Sequence, residues 1–295
     1  MENKKVALVT GASGIIGPGI CSTLRKAGWI VAAADRTLEE FEQTARYRGP
    51  VDADDFFEAD LSDGPSVECL VAEVEERLGS LSLLVNNAAV GQLFDGIGNV
   101  KRSDYERLIS VNLLAPFFLT QAALPSLQKN SGSVVMISSV LAEMPKPNST
   151  LYGVSKSALE KQTEFLAHDL IKQGVRVNAI RVGCVRGGAF LREHLKDLPP
   201  EESQKIYEEV MKVHLADVVG EGEIPLVGRP EDVGNAVRFL SSPEARMVNG
   251  CALPVDSGFA YRENERQLLS KRTEQSSEMV AKLLNRNQDG ASVIR

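Results

Sequence analysis

Short apolar segments alternate with helical patterns along most of this 295-residue chain. Continuous apolar runs of this length are typical of strands that are buried on both faces of a parallel sheet. The predicted strands are Val6–Thr10, Ile30–Ala34, Phe56–Ala59, Leu83–Asn86, Val134–Ser138, Val175–Ile180 and Ala252–Val255. Because helical crossovers between parallel strands are right-handed and cover both faces, the pattern predicts a doubly wound α/β fold with seven parallel strands in a single domain.

A glycine-rich loop joins the first predicted strand to a helical segment. It reads Gly11-Ala-Ser-Gly-Ile-Ile-Gly17. Glycine lets the backbone approach a pyrophosphate closely, and the helix that follows offers N–H groups and a positive dipole end. A glycine loop alone is weak evidence, but this one lies directly between a strand and a helix, which predicts a dinucleotide site.

An acidic residue closes the second predicted strand. Asp35 lies at about the distance beyond the glycines at which a carboxylate binds a ribose 2′-hydroxyl, which favours NAD as the cofactor. A 2′-phosphate near this carboxylate would meet repulsion of order ~4 kcal/mol at 4 Å, so NADP is less favoured, although Arg36 could offset part of the repulsion. The alternative role for Asp35 is a helix N-cap.

Three side chains further along the chain suggest proton transfer beside a hydride. Tyr152 is followed four residues later by Lys156, on the same helical face, and a nearby cation lowers a phenol pKa that is ordinarily about 10. Ser139 directly follows the predicted strand Val134–Ser138, where its hydroxyl could hold a substrate oxygen. By itself the Tyr-x-x-x-Lys spacing is more often an ordinary amphipathic helix.

Taken together and in this order, the motifs resemble the short-chain dehydrogenase/reductase family, from about Lys4 to Phe259. The resemblance implies a Rossmann-type fold. It also implies a catalytic tetrad of Asn112, Ser139, Tyr152 and Lys156. In that family the asparagine holds a water that links the lysine to solvent, and the lysine also binds the nicotinamide ribose.

The same resemblance assigns the cofactor contacts. Thr10–Gly17 looks like the cofactor loop, Asp60-Leu61 like the adenine contact, and Asn86–Ala89 like the segment that stabilises the central strand. The residues expected to bind the cofactor are Gly11, Ser13, Gly14, Ile16, Gly17, Asp35, Arg36, Asp60, Leu61, Asn87, Ala88, Tyr152, Lys156 and Val185.

Several positions depart from the family pattern. Ile15 stands where the middle glycine of the loop is usual, and Gly14 instead gives the spacing of extended relatives such as epimerases. Ala89 replaces a glycine, Val182 replaces the proline of a Pro-Gly pair, and Gly187 replaces a threonine that commonly bonds the cofactor. These changes predict altered phosphate contacts and weaker cofactor affinity or loop closure.

The predicted domain spans residues 1–261, because no Gly/Ser linker divides the chain. Within it, the polar segment at about 184–227 occupies the place of the family's substrate lid, and long segments at such places are usually functional. Residues 262–295 form a charged C-terminal extension that exceeds the usual family length. The resemblance also implies a homotetramer or homodimer.

Charge and cysteine usage restrict the partners and the compartment. A net charge of −7 and a pI near 5.2 argue against nucleic acid or an anionic membrane as partners. The four cysteines lack metal-ligand spacing and indicate reduced, buried thiols rather than a disulfide framework or a metal site. The amino terminus enters the first strand without an apolar signal core, which predicts a cytoplasmic protein.

The sequence therefore predicts an NAD-dependent oxidoreductase that interconverts a secondary alcohol and a ketone. A polyol, sugar or hydroxy-ketone is the expected substrate class. The nearest alternative is a carbonyl or 3-oxoacyl-type reductase, and another is a cofactor-binding regulatory or scaffold protein without turnover. A sugar-nucleotide epimerase ranks last, because its usual larger carboxyl-terminal domain is absent from this sequence.

Overall fold

A computed structural model describes residues 5–37, 56–91, 97–185 and 227–259, together with isolated residues at 199–210 and 271–282. A seven-stranded sheet runs through these ranges. Its strands are β1 (Val6–Thr10), β2 (Ile30–Asp35), β3 (Phe56–Glu58), β4 (Leu81–Asn86), β5 (Ser133–Ser139), β6 (Arg176–Val182) and β9 (Ala252–Val255). The order across the sheet is β3-β2-β1-β4-β5-β6-β9, and every pairing is parallel. The predicted doubly wound Rossmann-type sheet is confirmed, with strand ends displaced by at most two residues.

Helices lie between the strands in the described ranges, and the connection from β2 to β3 at 38–55 lies outside those ranges. The helices are α1 (Gly17–Lys26), α2 (Gly64–Leu78), α3 (Arg102–Ile109), α4 (Ala115–Lys129), α5 (Thr150–Leu170) and α6 (Pro230–Leu240). Both faces of the sheet are covered: Leu8 and Leu84 join a core cluster with α2, α4 and α5, while the alternating residues Val9 and Val85 point to the opposite face and are equally inaccessible to solvent.

Helices α1 and α6 pack against each other at unusually close range. A Cβ added to Gly19 would lie 2.4 Å from the backbone carbonyl carbon of Pro230, and one added to Gly234 would lie 2.6 Å from Oγ1 of Thr23. The absence of side chains at these two positions is therefore what permits the contact. Since α1 directly follows the glycine loop, this packing also fixes where the amino terminus of α1 lies.

Chain contacts divide the protein into two compact units. The first comprises Met1–Gly183 and Arg229–Val255 and contains the seven-stranded sheet, and the second comprises Cys184–Gly228 and Asp256–Arg295.

In the second unit, β7 (Cys184–Val185) pairs in parallel with β8 (Val227–Gly228). A turn follows Asp256, whose carbonyl accepts from the N–H of Phe259 at 2.9 Å. The predicted lid at 184–227 and the extension at 262–295 lie mostly outside the described residues and stay predictions.

The cysteines only partly follow the prediction of buried thiols. Cys21 is buried, and burial raises the pKa of its thiol to about 12. Cys69 is exposed on α2, which contradicts the prediction, while Cys184 and Cys251 are half-buried. The apolar periodicity of α2 places Cys69 on the outer face of that helix, one residue before the buried Leu70.

One helical stretch in the described part of the chain, Arg102–Lys129, is long and apolar enough to cross a membrane. It has 28 residues, and 44% of its most apolar window is buried within the protein. The core helix of a soluble protein passes the same test, so the finding is weak evidence for a membrane span.

The close contact between α1 and α6 predicts that Gly19→Ala destabilises the protein. The new methyl group would overlap the backbone at Pro230, and overpacking of this kind costs roughly 1–3 kcal/mol. Thermal unfolding should therefore show a lower Tm than the wild type. Gly64→Ala is the matched control, because a Cβ at Gly64 meets nothing within 4 Å. Equal Tm values for the two variants would contradict this account of the packing.

Candidate active site

The carboxyl ends of β1 and β4 are tied together by the side chains of Thr10 and Asn87. The Thr10 hydroxyl donates to the carbonyl of Val85 at 3.3 Å and accepts from the N–H groups of Asn87 and Ala88, both at 3.1 Å. Asn87 Nδ2 donates to the carbonyls of Thr10 and Gly11 at 2.8 and 2.9 Å. The predicted contacts Asn87 and Ala88 therefore hold the start of the glycine loop in place.

Two glycines of the loop are required by its geometry. Gly11 has a φ of 62°, and a Cβ on it would lie 2.6 Å from Cα of Ala88. A Cβ on Gly17 would lie 2.4 Å from the carbonyl oxygen of Gly11. The N–H of Gly14 donates to that same carbonyl at 3.0 Å and closes the turn, and Ile15 follows at the usual glycine position.

Helix α1 begins at the end of this loop, and its first residues, Gly17–Gly19, are buried. Ile16 is its N-cap residue and makes no side-chain cap hydrogen bond, and Pro18 lies in the first turn. The first N–H groups of a helix have no partner within the helix, and the helix dipole favours an anion beside them. The loop and this terminus therefore fit a dinucleotide pyrophosphate: a tight glycine backbone leads into a helix whose N-cap residue supplies no side-chain hydrogen bond.

Asp35 ends β2 beside the loop, as predicted, but its carboxylate is already partnered. Its Oδ2 accepts from the N–H of Ser13 at 2.8 Å and also from the Ser13 hydroxyl, and its Oδ1 accepts from the N–H of Arg36 at 2.9 Å. An ionised carboxylate offers about four acceptor positions, so Asp35 can still accept from a ribose hydroxyl. Ser13, a predicted nucleotide contact, here orients Asp35. The alternative role of Asp35 as a helix N-cap stays a prediction, because residues 38–55 lie outside the described residues.

Asp60 and Leu61 follow β3 in the order predicted for an adenine contact. The carboxylate of Asp60 is exposed and accepts from the hydroxyl and the N–H of Ser62 at 2.7 and 2.9 Å. These hydrogen bonds lower the pKa of Asp60, and the charge of Arg36 lowers it further. Leu61 is buried at 9% exposure. Arg36 therefore lies near two carboxylates, that of Asp60 and that of its chain neighbour Asp35.

Ser139 and Tyr152 meet where β5 ends. The Ser139 hydroxyl accepts from the N–H of Leu141 at 3.2 Å, which orients it at the end of the strand. Tyr152 is on the first turn of α5. Burial raises the pKa of Tyr152 to about 12, and the hydrogen bond with Ser139 opposes part of that increase. The two groups predicted to hold and protonate a substrate oxygen are thus in contact.

Lys156 is buried beneath Tyr152, with only 2% of its surface exposed. Its Nζ donates to the carbonyl of Ile137 at 2.7 Å and lies 5.6 Å from the centroid of the Tyr152 ring. Burial lowers the pKa of Lys156 to about 8. The prediction that the pKa of Tyr152 is lowered is wrong for the net shift, because burial of the phenol outweighs any effect of the ammonium, whose Nζ is bound to a backbone carbonyl.

Asn112 is completely buried within a π-helical segment, Ser110–Leu114, between α3 and α4. Its side chain pairs with the backbone of Val90, through Oδ1 at 2.8 Å and Nδ2 at 3.0 Å, and Nδ2 also donates to the hydroxyl of Ser155 at 3.1 Å. Ser155 in turn donates to the carbonyl of Tyr152 at 2.8 Å, so Asn112 connects the π-helical segment to the tyrosine's helix.

The π-helical segment has a cause in the sequence. An α-helix would bond the N–H of residue 116 to the carbonyl of Asn112, but residue 116 is proline and has no N–H. Its ring would also clash with that carbonyl. The chain widens instead, and the N–H of Ala115 bonds to the carbonyl of Ser110. Such bulges occur frequently at functional sites.

The other predicted positions have mixed outcomes. Val182, at the usual proline position, is the last residue of β6 and pairs with Ser139 on one side and Val255 on the other. Val185 belongs to the second unit, and Gly187 lies outside the described residues. Their proposed contacts with a cofactor stay predictions.

The sequence prediction missed an ion pair beside the tetrad. Glu160, one turn beyond Lys156 on α5, binds Arg181 of β6 and the hydroxyl of Ser138. The signal in the sequence was the arginine itself, since a charged residue within the apolar run around β6 requires a partner when it is buried.

Comparison with known proteins identifies the architecture around this site. Residues 11–260 match the family model described as enoyl-(acyl carrier protein) reductase. Human dehydrogenase/reductase SDR family member 4 is 31% identical, over 88% of this chain and 88% of its own length. Glucose 1-dehydrogenase 2 of Bacillus subtilis strain 168 is 31% identical, over 86% and 94%. A blue fluorescent protein from a metagenomic library, solved in complex with NADPH, is 32% identical with a TM-score of 0.68, over 88% and 98%.

The buried lysine predicts a pH-dependent difference in stability between the wild type and Lys156→Met. Burial lowers the pKa of Lys156 from 10.5 to about 8, so between these values the unfolded chain binds more protons and the folded state gains stability as pH rises. Methionine removes this gain. The Tm of the wild type minus that of Lys156→Met should therefore increase from about pH 7.5 to about pH 9.5, by an equivalent on the order of 2 kcal/mol. A constant or shrinking difference would contradict the burial of a charged lysine.

Proposed function

The chain belongs to the short-chain dehydrogenase/reductase family, and on that premise we propose that it is an oxidoreductase that interconverts a secondary alcohol and a ketone with NAD. The observation that carries the proposal is the meeting of Ser139, Tyr152 and Lys156 at one edge of the sheet. The same edge ends the strand that leads into the glycine loop.

The residues of the chain divide the chemistry between proton transfer and orientation. The bound nicotinamide would supply or accept the hydride. The hydroxyl of Ser139 orients the substrate oxygen, and Tyr152 gives that oxygen a proton during reduction and takes it back during oxidation. The cation of Lys156, 5.6 Å from the ring, stabilises the phenolate that forms transiently. Asn112 holds the helix of Tyr152 in register through Ser155.

The preference for NAD rests on charge at the end of β2. Asp35 places a carboxylate, oriented by Ser13, where a 2′-phosphate would meet repulsion. Arg36 is opposed by the field of Asp60 as well as by that of Asp35, which weakens its ability to attract a phosphate. NADP remains the competing cofactor, because the similar blue fluorescent protein was solved with NADPH.

The proposed substrate is a secondary alcohol of a polyol, sugar or hydroxy-ketone. Support comes from the similarity to a protein named glucose 1-dehydrogenase 2. The second candidate is a carbonyl or 3-oxoacyl-type reductase. Support comes from the similarity to a protein named dehydrogenase/reductase SDR family member 4 and from a family model whose description names an enoyl-(acyl carrier protein) reductase.

A screen for turnover tests both candidates. Reduced nicotinamide is followed by its absorbance while NAD and NADP are offered in parallel with polyols, sugars and hydroxy acids, and NADH and NADPH with ketones and 3-oxoacyl thioesters. Turnover with NAD above that with NADP is the expected result. Turnover confined to ketones would favour the reductase, and higher rates with NADP would overturn the role given to Asp35. Nucleotide binding without turnover on any substrate would favour a scaffold protein.

Tyr152→Phe should reduce kcat by about 10²- to 10⁴-fold, because it removes the hydroxyl that transfers the proton while leaving the aromatic ring in place. The affinity for NADH, measured by calorimetric titration, should stay within about twofold of the wild-type value. Tyr105→Phe is the control, since Tyr105 is an exposed tyrosine on α3. Undiminished turnover in Tyr152→Phe would exclude the proposed mechanism.

We also propose a cytoplasmic homodimer or homotetramer that pairs through α4 and α5. Both helices expose large apolar side chains: Phe117 and Phe118 on α4 are 38% and 45% exposed, and Val154 and Phe165 on α5 are 47% and 66% exposed. Burial of such side chains by a second copy would remove apolar surface from water, which is the main driving force for association.

Phe165→Asp should therefore shift the protein toward the monomer, because the carboxylate would be desolvated in the interface. Light scattering after size exclusion at a concentration of tens of micromolar measures the mass. Met247→Asp is the control, since Met247 is a similarly exposed apolar residue beyond α6. If Phe165→Asp forms the same oligomer as the wild type, the face of α5 that carries Phe165 is not the interface. If the wild type is a monomer, the proposed oligomer is rejected.

A further inference from the structure

A largely buried ion pair joins α5 to β6 next to the catalytic residues. The two carboxylate oxygens of Glu160 accept from Nε and Nη2 of Arg181 at 3.0 and 2.6 Å, in a two-point contact. The side chains of Glu160 and Arg181 are only 12% and 17% exposed. Glu160 lies one helical turn beyond Lys156, so the pair anchors the part of α5 that carries the lysine.

The same carboxylate also reaches the strand that carries the catalytic serine. Oε1 of Glu160 accepts from the hydroxyl of Ser138 at 2.7 Å, and Ser138 directly precedes Ser139 in β5. Three elements therefore converge on one side chain: α5, β5 and, through Arg181, β6.

Arg181 makes a second ion pair that reaches the segment after Ser139. Its Nη1 lies 2.7 Å from Oε2 of Glu143, whose side chain is 61% exposed, so this pair is weaker than the one with Glu160. Glu143 follows the short 3₁₀ segment Val140–Ala142, which includes Leu141, the residue whose N–H donates to the Ser139 hydroxyl. The arginine thus holds both the residue before Ser139, through Glu160, and the segment after it.

Helix α5 contacts this segment directly as well. The hydroxyl of Ser157 donates to the carbonyl of Ala142 at 2.6 Å. A Cβ on Gly153 would lie 2.9 Å from the carbonyl oxygen of Leu141, so the helix and the segment approach as closely as a glycine allows. The position of α5 and the position of the segment Val140–Ala142 are therefore coupled, so that a shift of the helix displaces the segment.

We propose that Glu160 and Arg181 are positioning residues that set the placement of Ser139 relative to Tyr152 and Lys156. The inference rests on the proposed oxidoreductase function. Among the described residues, the side chains of Glu160 and Arg181 bond to each other, to Ser138 and to Glu143, and not to the side chains of Ser139, Tyr152 or Lys156. A buried ion pair of this kind contributes little net stability, but removal of one partner leaves the other charge uncompensated. Displacement of a catalytic group by about 1 Å can cost about 10²-fold in rate.

Glu160→Ala, Glu160→Gln and Arg181→Lys test the proposal in the full-length chain. Glu160→Ala should lower kcat about 10- to 100-fold, with the affinity for NADH within about twofold of wild type. Glu160→Gln should recover part of the loss, because its amide oxygen can still accept from Ser138. Arg181→Lys should fall between, since lysine keeps the charge and loses the two-point contact. Glu164→Gln is the control: its partner Lys161 and Glu164 itself are both exposed on the same helix.

Hydrogen exchange of the amides in residues 139–144 gives a second readout that does not require turnover. Faster exchange there in Glu160→Ala than in Glu164→Gln is expected, because the segment loses its anchor. A variant with lower Tm but unchanged kcat and unchanged exchange would overturn the proposal, since that result describes a purely structural pair. If Glu160→Ala does not fold, Glu160→Gln and Arg181→Lys decide the same question.

The two proposals fail in different ways. Absence of turnover in both the wild type and Glu164→Gln would reject the proposed function, and hydrogen exchange would then decide alone whether Glu160 positions the segment. Turnover in the wild type with wild-type kcat in all three variants would reject only the positioning role.

Discussion

The arrangement of the site depends on one constraint: backbone groups near the carboxyl ends of the parallel strands must still be hydrogen-bonded where the strands diverge. Polar side chains meet that requirement. Thr10 and Asn87 pair with the backbone of β1 and β4, Asn112 pairs with Val90, and Lys156 pairs with the carbonyl of Ile137. Because buried polar groups are costly unless they are paired, these contacts fix the side chains in place. The residues proposed for catalysis and cofactor binding are therefore also structural.

Burial sets the electrostatics of the site more than the pairing of charges does. Desolvation raises the pKa of Tyr152 and lowers that of Lys156, so burial brings a phenol that holds its proton close to a lysine that gives up its proton more readily. Burial of Lys156 does not favour folding at neutral pH, because the lysine is still charged there and a buried charge reduces the stability of the folded state. Perturbed groups of this kind gather at functional sites, where chemistry is maintained at some cost in stability.

The fold could be predicted from the sequence because continuous apolar runs and glycine loops reflect local physics. Strand bounds erred by at most two residues, as in β4, which begins at Leu81. Interactions between distant positions could not be predicted in the same way. The partner of Lys156 is a carbonyl on β5, and Ser13 bonds Asp35 across 22 residues, which depends on register and burial. Pro116 did carry a local signal for the π-helical segment, since proline cannot donate to Asn112.

The proposed mechanism requires the hydroxyl of Tyr152 to face a substrate oxygen that lies beside C4 of a nicotinamide bound along the glycine loop. A crystal structure of the chain grown with NADH tests it most directly. The account predicts electron density for the pyrophosphate at Gly11–Gly17 and a Tyr152 hydroxyl that faces the nicotinamide C4, with room for one carbonyl group between them. Nucleotide bound elsewhere, or a Tyr152 ring turned away from the nicotinamide, would contradict it.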